Sequence, residues 1–521
     1  MKIQCLFSKI LIPAISILAL PISALSQDPV IYTDLYYNQN IDSSGWNRDR
    51  YLENSAAWNV GSPDGEIYTG KVNSANNNLF INWDTENTVD GQNVFGYSSM
   101  NWNVHDINMA LTLCTHYTLL LFVENQKLTL GGDLSISLDN HAKWWSPGMG
   151  ISFQNNTSMV VNGDMKVVNS TLDKQGYGQT GLEFRMSAGG NSWTPNCDIK
   201  GNLIFESMYP TTTYETSDRI TFSLTLPRLN VGGYVDMTEP RTNSRIWDLL
   251  VSSSWENPAT DITLGGLKGS GALQISYANN GMVNITFKNS AEYAYTGTYA
   301  ARVGSENNFN IIMDAADAQN GKQSLYIKEG GYTERDGAAY LDASTINSVT
   351  VKNGTLDFAT YDGMVNGNLE ISGSGGRLEI SSMIAGGTGL LAFETATFDR
   401  GTIEFTITEL SADKIEISGA LTKSGLGEIN VEFDADTYDI REWISASGGD
   451  SIEYELITFG STNMKESDFI AEDLGDGIFA NLFIRDNALV AEFTTVPEPA
   501  HIAAVFAAAA FALAAVRRRK R

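Results

Sequence analysis

The sequence predicts an all-β protein whose largest part is a right-handed parallel β-helix, or β-solenoid, followed by a C-terminal hydrophobic helix. Three observations predict this class. Short runs of β-branched and aromatic residues return along the chain, each interrupted by glycine. The chain contains 48 glycines but only 12 prolines. No helical periodicity of useful length occurs between the two termini. Together these features are typical of many short strands joined by turns.

A glycine-centred unit recurs through the middle of the chain. Its first five copies read LTLGGDLSISL, MVVNGDMKVV, CDIKGNLIFES, LNVGGYVDM and ITLGGLKGSGALQISY, beginning at Leu128, Met159, Cys197, Leu229 and Ile262. When the copies are aligned, the turn glycines are Gly132, Gly163, Gly201, Gly233 and Gly266. Later copies follow one another at shorter intervals. A unit that recurs every ~20 to 40 residues indicates a solenoid.

Apolar residues alternate with polar ones inside each unit, which is the period of a β-strand with one buried face. In the first copy the residues that can share the inward face are Leu128, Leu130, Leu134, Ile136 and Leu138. We expect the glycines to supply positive φ angles for the bends. The alternative fold is a row of tandem β-sandwiches, for which repeats of ~100 residues would be expected. The short, irregular spacing favours the solenoid.

The two ends of the chain differ from the repeats and divide it into five segments. Residues 1–26 have the pattern of a secretory signal peptide, with Lys2 and Lys9 near an apolar run and small residues before the cleavage site at Ser26. Residues 27–110 are rich in aromatic residues and Asn, and are predicted to cap the N-terminal end. Residues 111–437 hold the repeats, 438–495 form the C-terminal cap strands, and 496–521 form a tail.

The formal net charge of −27 limits the partners of this protein. So negative a surface repels the phosphate backbone, and nucleic-acid binding is therefore not expected.

The tail combines three features in a fixed order: a Pro497-Glu498-Pro499 elbow, an apolar run from Ile502 to Val516, and a basic block of Arg517, Arg518, Arg519, Lys520 and Arg521. As a helix the apolar run would span roughly 22 Å, less than the ~30 Å hydrocarbon core of a membrane. The basic block would hold its end of the helix in the cytoplasm by the positive-inside rule. The tail is therefore predicted to tether the body to a membrane from outside.

These three features resemble the PEP-CTERM sorting signal of Gram-negative bacteria. The resemblance implies that Pro497, Glu498 and Pro499 are recognised by an exosortase-type sorting enzyme, and that the residues from Arg517 to Arg521 are the cytoplasmic stop. It also implies an inner-membrane-tethered intermediate that is later delivered to the cell surface or the extracellular matrix, where such proteins accompany polysaccharide. An ordinary C-terminal membrane anchor is the alternative. The stretch ITLGGLKGSGALQIS is similar to the strand repeats of autotransporter passenger regions, which implies β-helical architecture and no particular activity.

Two cysteines follow the predicted leader, Cys114 and Cys197. An exported protein reaches an oxidising compartment, so these cysteines could form a disulfide. Two buried free thiols are the equal alternative. Neither cysteine lies in a CxxC motif or beside a histidine at ligand spacing, so no metal site is predicted.

The sequence has few residues arranged for catalysis. His105, His116 and His141 are not at metal-ligand spacing, and neither an HExxH nor a GxSxG motif occurs. Acidic clusters occur at Asp314 with Asp317 and at Glu472, Asp473 and Asp476. Both are interpreted as solvated loop charge. No cofactor and no catalytic residue are predicted.

The adjacent Trp144 and Trp145 are the candidates for stacking on sugar rings, because exposed aromatic faces bind carbohydrate. Their alternative role is to cover the core and a turn. The predicted function is a non-catalytic cell-surface or matrix β-solenoid associated with envelope polysaccharide or biofilm. The alternatives are a β-helical carbohydrate-active enzyme, either a polysaccharide lyase or a glycosidase, and a carbohydrate-binding adhesin.

Overall fold

The computed structural model consists mostly of strands. It describes residues 31–37, 55–84, 95–98, 101–114, 118–122, 126–140, 148–154, 158–169, 181–189, 196–207, 219–225, 228–238, 246–252, 259–269, 272–276, 282–296, 299–302, 309–327, 340–341, 346–360, 363–364, 367–382, 387–435 and 437–495. The all-β prediction is confirmed at this level.

The strands of the first half of the chain are β1 (Thr33–Tyr37), β2 (Trp58–Val60), β3 (Asn77–Asp84), β4 (Phe95–Ser98), β5 (Trp102–Val104), β6 (Ile107–Cys114), β7 (Thr118–Phe122), β8 (Lys127–Leu130), β9 (Leu134–Asn140), β10 (Gly148–Gln154), β11 (Ser158–Val161), β12 (Met165–Asn169), β13 (Gly181–Gly189), β14 (Asn196–Ile199), β15 (Leu203–Ser207), β16 (Arg219–Thr225), β17 (Arg228–Met237), β18 (Ile246–Ser252) and β19 (Ala259–Gly269).

The strands of the second half are β20 (Ala272–Ser276), β21 (Met282–Phe287), β22 (Glu292–Tyr295), β23 (Tyr299–Arg302), β24 (Phe309–Asp314), β25 (Lys322–Ile327), β26 (Tyr340–Leu341), β27 (Ile346–Thr360), β28 (Gly363–Met364), β29 (Asn368–Ser382), β30 (Leu390–Phe393), β31 (Thr395–Phe398), β32 (Gly401–Thr406), β33 (Lys414–Lys423), β34 (Ile429–Asp434), β35 (Ser451–Thr462), β36 (Phe469–Ala471), β37 (Ile478–Arg485) and β38 (Ala488–Thr495). One helix, α1 (Thr437–Ser447), and two 3-10 turns, Ser55–Ala57 and Glu466–Asp468, are also present in the described part.

The larger sheet contains two columns of parallel strands, and successive repeats pair in register in both. Column 1, which includes β8, β11, β14 and the first parts of β17 and β19, aligns Leu128, Met159, Cys197, Leu229 and Ile262. Column 2, which includes β9, β12, β15 and the second parts of β17 and β19, aligns Leu134, Met165, Leu203, Val235 and Leu267. All ten side chains are buried. The predicted strand alternation is therefore confirmed where it can be examined; the side chain of Leu138 lies outside the described part.

A second sheet takes one strand from each of the longer repeats. Its order is β4, β7, β10, β13, β16, β18, β20, β23 and β26, and all of its pairs are parallel except the last. Beyond β26 the repeats are shorter and the described strands all belong to the larger sheet. The first part of β33 pairs there with β30 and with the second half of β35. The later, shorter repeats therefore contribute their described strands to the larger sheet alone, whereas each longer repeat also contributes one strand to the second sheet.

The turn glycines of successive repeats lie next to one another at the corner between the two columns. Gly163 N donates to Gly132 O at 2.8 Å, Gly201 N donates to Gly163 O at 3.0 Å, and Gly233 N donates to Gly201 O at 2.8 Å. Gly354, the turn glycine of the later copy VTVKNGTLDF, has the expected positive φ of 77°. None of the four glycines above has a positive φ, so the expectation is wrong for them. The constraint is space: a Cβ on Gly201 would lie 2.6 Å from Gly163 O.

Each corner also carries an Asp or Asn that reaches the next repeat. Asp133 N donates to Asp106 Oδ1, and Asp164 N donates to Asp133 Oδ1, both at 2.7 Å. Asn202 N donates to Asp164 Oδ1 at 2.7 Å. The polar residue that follows the glycine in GGD, NGD and KGN is therefore a link between repeats, because it satisfies a backbone donor that strand pairing leaves open at the bend.

Helix α1 was not predicted from the sequence and lies at the start of the segment 438–495, for which cap strands were predicted. Its buried residues are Ile440 and Ile444, which lie four positions apart and so face the same side. Trp443 packs partly against the same core. Two fully buried positions in eleven residues are too few to produce a clear helical period in the sequence.

Both ends of the parallel array carry antiparallel strands. At the N-terminal end β2 pairs antiparallel with β1, and at the C-terminal end β38 pairs antiparallel with β35 and β37. Trp58 and Trp102 are fully buried near the first end, and Tyr37 packs edge-on against Trp58 with ring centroids 5.3 Å apart. Trp58 and Trp102 belong to the same buried core as the repeats, and Tyr37 packs against it.

Candidate functional site: a charged groove

An open groove of about 790 Å³ crosses five adjacent strands of column 2. Its floor consists of one outward residue from each of β22, β25, β27, β29 and β32, aligned as Glu292, Lys322, Thr355, Arg377 and Thr402. Its walls are Ser290–Ala291, the turn at 318–320 and the turn at 374–376. We call this feature the charged groove.

A row of carboxylates lies beside the floor, two residues further along each strand. The aligned residues are Asp357, Glu379, Glu404 and Glu432. Each stands between two buried apolar residues, as in Leu378-Glu379-Ile380 and Ile403-Glu404-Phe405. Because strand residues alternate between faces, every carboxylate of the row is directed outward.

Two cations of the floor hold this row together. Arg377 donates through Nε to Glu379 Oε1 at 2.8 Å, and its two terminal nitrogens donate to Glu404 and Glu432. Lys322 Nζ lies 2.5 Å from Glu379 Oε2 and 3.7 Å from Asp357 Oδ2. Asp357 also accepts hydrogen bonds from the hydroxyls of Ser324 and Ser381. One arginine thus links three successive strands.

The acidic environment keeps both cations charged. Burial by itself lowers the pKa of Lys322, but the hydrogen bond to Glu379 and the charges of Asp357 and Glu379 outweigh it, so the pKa is raised. For Arg377, burial is likewise outweighed by hydrogen bonds to Glu432 and Glu379, and the pKa is raised. Neither cation is therefore a proton donor near neutral pH.

The acidic residues singled out from the sequence have structural partners. Asp314 pairs with Lys288, and the Asp317 carboxylate accepts hydrogen bonds from Gln319 N at 2.9 Å and from Asn320 N at 3.1 Å. The hydrogen bond from the Asn320 side chain, followed by these backbone donors, lowers the pKa of Asp317. Asp317 therefore shapes the turn that forms one wall of the charged groove.

The second acidic string lies near the C-terminal end. Glu472 accepts a hydrogen bond from Phe433 N, and burial raises its pKa with help from the charge of Glu432. Asp473 accepts a hydrogen bond from Gly475 N at 3.0 Å, and Asp476 accepts one from Thr437 Oγ1 at 3.3 Å. Across the described ranges, no three His, Cys, Asp or Glu side chains are close enough to share a metal ion.

Cys197 is a free thiol in column 1 and is fully buried, and burial raises its pKa. Of the two sequence-based alternatives for this residue, the structure has the thiol. Cys114 lies in column 2, where its backbone pairs with Asn140 of β9. Its side chain lies outside the described part.

His105 belongs to the corner between the columns and has a structural environment. Its ring lies against Tyr32, with centroids 3.7 Å apart, and its Nδ1 lies 3.2 Å from Asn78 Oδ1 and 3.0 Å from Asp106 Oδ1. His116 and His141 lie outside the described residues.

The remaining predicted site residues also lie outside the described residues. These are Trp144 and Trp145, the sorting motif Pro497, Glu498 and Pro499, and the basic stop Arg517 to Arg521. Within the part of the chain that is described, no helix has the length and apolar character needed to cross a membrane. The proposed roles of these segments stay predictions.

Asp413 is a buried carboxylate at the turn before β33. Gly389 N donates to Asp413 Oδ1 at 2.5 Å, and Thr406 N donates to Asp413 Oδ2 at 2.6 Å. Burial raises the pKa of Asp413 to about 6, against the effect of these two backbone donors.

We expect Asp413 to make the protein less stable as the pH rises. The folded state holds the proton more tightly than the unfolded state, where the pKa is ordinary, so stability is lost as the pH rises towards 6. Between pH 5 and pH 7 this loss amounts to about 1 kcal/mol. Urea denaturation of the wild type and of Asp413→Asn at both pH values measures it. Asp413→Asn lacks one carboxylate acceptor at every pH, and this loss contributes a constant difference in stability. The test is therefore whether the difference in unfolding free energy between the wild type and the variant changes between pH 5 and pH 7. A difference independent of pH would contradict the expectation.

Comparison with protein-family models and with curated proteins finds no match for this chain.

Proposed function

We propose that this chain is an exported, non-catalytic β-solenoid that serves as an elongated scaffold at the cell surface or in the extracellular matrix, after sorting through its PEP-CTERM-type tail. In this proposal each repeat is one coil, and the larger and smaller sheets run lengthwise along a right-handed parallel helix. Successive repeats pair in parallel and in register, which supports the coil arrangement. A single coil cannot bury its inward face alone and does so only against neighbouring coils.

The observation that carries the non-catalytic interpretation is the pairing inside the charged groove. Hydrolysis of a glycosidic bond uses two carboxyl groups, one on each side of the bond. Here Glu379, Glu404 and Glu432 all accept hydrogen bonds from Arg377. One oxygen of each carboxylate is therefore engaged by the protein's own cation, which links strands and holds the carboxylates in place.

The sorting role rests on the sequence of the ends. A signal peptide at 1–26 and a tail with a Pro497-Glu498-Pro499 elbow, an apolar run and a basic stop are the parts such a route requires. Strand β38 ends at Thr495, so the elbow follows the folded body almost directly. The body would then stand at the membrane surface until the tail is processed.

The test compares the full chain with a chain that ends at Thr495, both expressed in a Gram-negative-type bacterium that contains an exosortase. We expect the full chain to reach the cell surface or the medium with a mass that ends near Pro499, and the shortened chain to stay in the periplasm. Replacement of Pro497 and Pro499 by alanine is the matched control for the motif. Delivery of both chains to the same place in the same form would refute the proposal.

A second candidate function, a β-helical carbohydrate-active enzyme, is favoured by the presence of a groove with acidic side chains on a parallel sheet. It predicts that the purified protein releases reducing ends or unsaturated products from polysaccharide. Product formation that is lost in Glu379→Gln would establish this function in place of the scaffold.

A further inference from the structure

We propose that the charged groove binds a strand of polysaccharide that carries no acidic groups. This inference rests on the proposed function, because it assigns a ligand class and a binding site to a protein of the envelope matrix.

The shape of the groove suits an extended polymer. The five floor residues lie on five adjacent strands, which are spaced ~4.8 Å apart, so the groove is ~19 Å long and runs across the strands. It is open to solvent rather than enclosed. An extended chain could therefore lie across the floor from Glu292 to Thr402.

The lining presents the hydrogen-bonding groups that sugar hydroxyls need. Hydroxyl groups come from Ser290, Thr355, Ser374 and Thr402, and side-chain amides come from Gln319 and Asn320. Hydroxyl and amide groups both donate and accept hydrogen bonds, as vicinal sugar hydroxyls do.

The charge of the groove decides which sugars fit. Lys322 and Arg377 are the cations of the described groove, and both are engaged by carboxylates. The carboxylates in and beside the groove are Glu292, Asp357, Glu379, Glu404 and Glu432. The local field is therefore negative, and an acidic glycan such as a polyuronate would be repelled.

One wall of the groove is shaped by a buried polar network. β22 pairs with β19 only between Tyr295 and Gly269, so Leu267 has no strand partner on that side. The side chain of Gln323 replaces it: Leu267 N donates to Gln323 Oε1 at 3.0 Å, and Gln323 Nε2 donates to Leu267 O at 2.8 Å. Asn289, which directly precedes the Ser290–Ala291 wall, donates through Nδ2 to Lys322 O at 2.7 Å.

This network distinguishes the Ser290–Ala291 wall from a wall that is held by ordinary strand pairing. Gln323 and Asn289 are both 0% exposed. Buried amides are unfavourable unless they are hydrogen-bonded, and a regular apolar rung would need neither. The opposite wall is likewise fixed, since Asp317 ties the turn of Gln319 and Asn320. Both walls are therefore preorganised, which reduces the entropy lost on binding.

A peptide ligand fits less well. Extended peptides bind to a free sheet edge or place side chains in apolar pockets. The floor strands β25, β27 and β29 already have partners on both sides, and the lining consists of polar or small residues.

The test measures binding of the purified full chain, kept in detergent, to immobilised neutral hexasaccharides (cellohexaose, laminarihexaose and mannohexaose) and to hexagalacturonate. We expect at least one neutral probe to bind, with an affinity that does not change with salt, and hexagalacturonate to bind more weakly. Ser374→Trp, which fills the groove from an exposed wall position, should weaken binding at least about tenfold. Ala446→Trp on the exposed face of α1 is the matched control and should change affinity by less than about twofold.

Gln319→Ala provides a second variant in case tryptophan disturbs the fold, and it should weaken the same interaction. The inference is overturned if none of the neutral probes binds, if hexagalacturonate binds more tightly, if salt abolishes binding, or if neither groove variant alters it. These outcomes do not depend on the tail. A chain that is sorted as proposed but binds no neutral probe would refute only the groove, and a chain that binds but is not sorted would refute only the sorting.

Discussion

Replacement of Arg377 by methionine is expected to lower the free energy of unfolding by about 2 to 4 kcal/mol. The variant keeps much of the volume of the side chain but leaves Glu379, Glu404 and Glu432 without their shared cation. These carboxylates lie on adjacent strands, so they would repel one another at short range. Because the Arg377 side chain is 26% exposed, the expected loss in the free energy of unfolding is smaller than for a fully buried ion pair. Equilibrium denaturation in urea measures the loss.

Arg377→Lys is the informative control for this prediction. Lysine retains the charge but not the planar fork that reaches three carboxylates at once. We expect an intermediate loss. High salt should restore part of the stability of Arg377→Met, since it screens the remaining repulsion. A methionine variant as stable as the wild type would show that the arginine contributes nothing net to the stability of the sheet.

The repeat architecture was largely predictable because its cause is local. Alignment of the glycines placed Leu128, Met159 and Cys197 at equivalent positions, and the structure pairs those same residues. A positive φ is nevertheless not what requires glycine at the early corners such as Gly163 and Gly201, although Gly354 has one. A close approach between neighbouring repeats depends on the stacking distance, which no single repeat reveals.

The charged groove was not predicted, although a signal for it exists. Asp357, Glu379, Glu404 and Glu432 each occupy the centre of an apolar–acidic–apolar triplet. Read one repeat at a time, such a triplet is an ordinary outward strand position. Only the register between repeats brings the four acids into one row beside Arg377. The spacing between these triplets varies, and therefore the sequence alone does not fix which of them become neighbours.

Gln323 illustrates a second limit, because its buried position contradicts the usual preference of glutamine for the surface. Replacement by leucine is expected to lower the free energy of unfolding by about 2 to 5 kcal/mol. Leucine fills the space but leaves Leu267 N and Leu267 O without partners inside the protein. It also removes one acceptor from Asn289. Urea denaturation gives the loss in stability, and hydrogen exchange at the Leu267 amide reports the local opening.

Two further variants separate the hydrogen bonds from the change in shape. Gln319→Leu makes the same chemical change at an exposed position in the turn between β24 and β25 and should alter stability by less than ~0.5 kcal/mol. Gln323→Glu keeps the acceptor for Leu267 N but loses the donor to Leu267 O, and at neutral pH it buries a charge. We therefore expect Gln323→Glu to be less stable than the wild type at pH 7 and to recover part of the difference in acid, where a protonated carboxyl can donate to Leu267 O. If Gln323→Leu were as stable as the wild type, the buried amide could not be what supports the unpaired part of β19, and the wall of the groove would need another explanation.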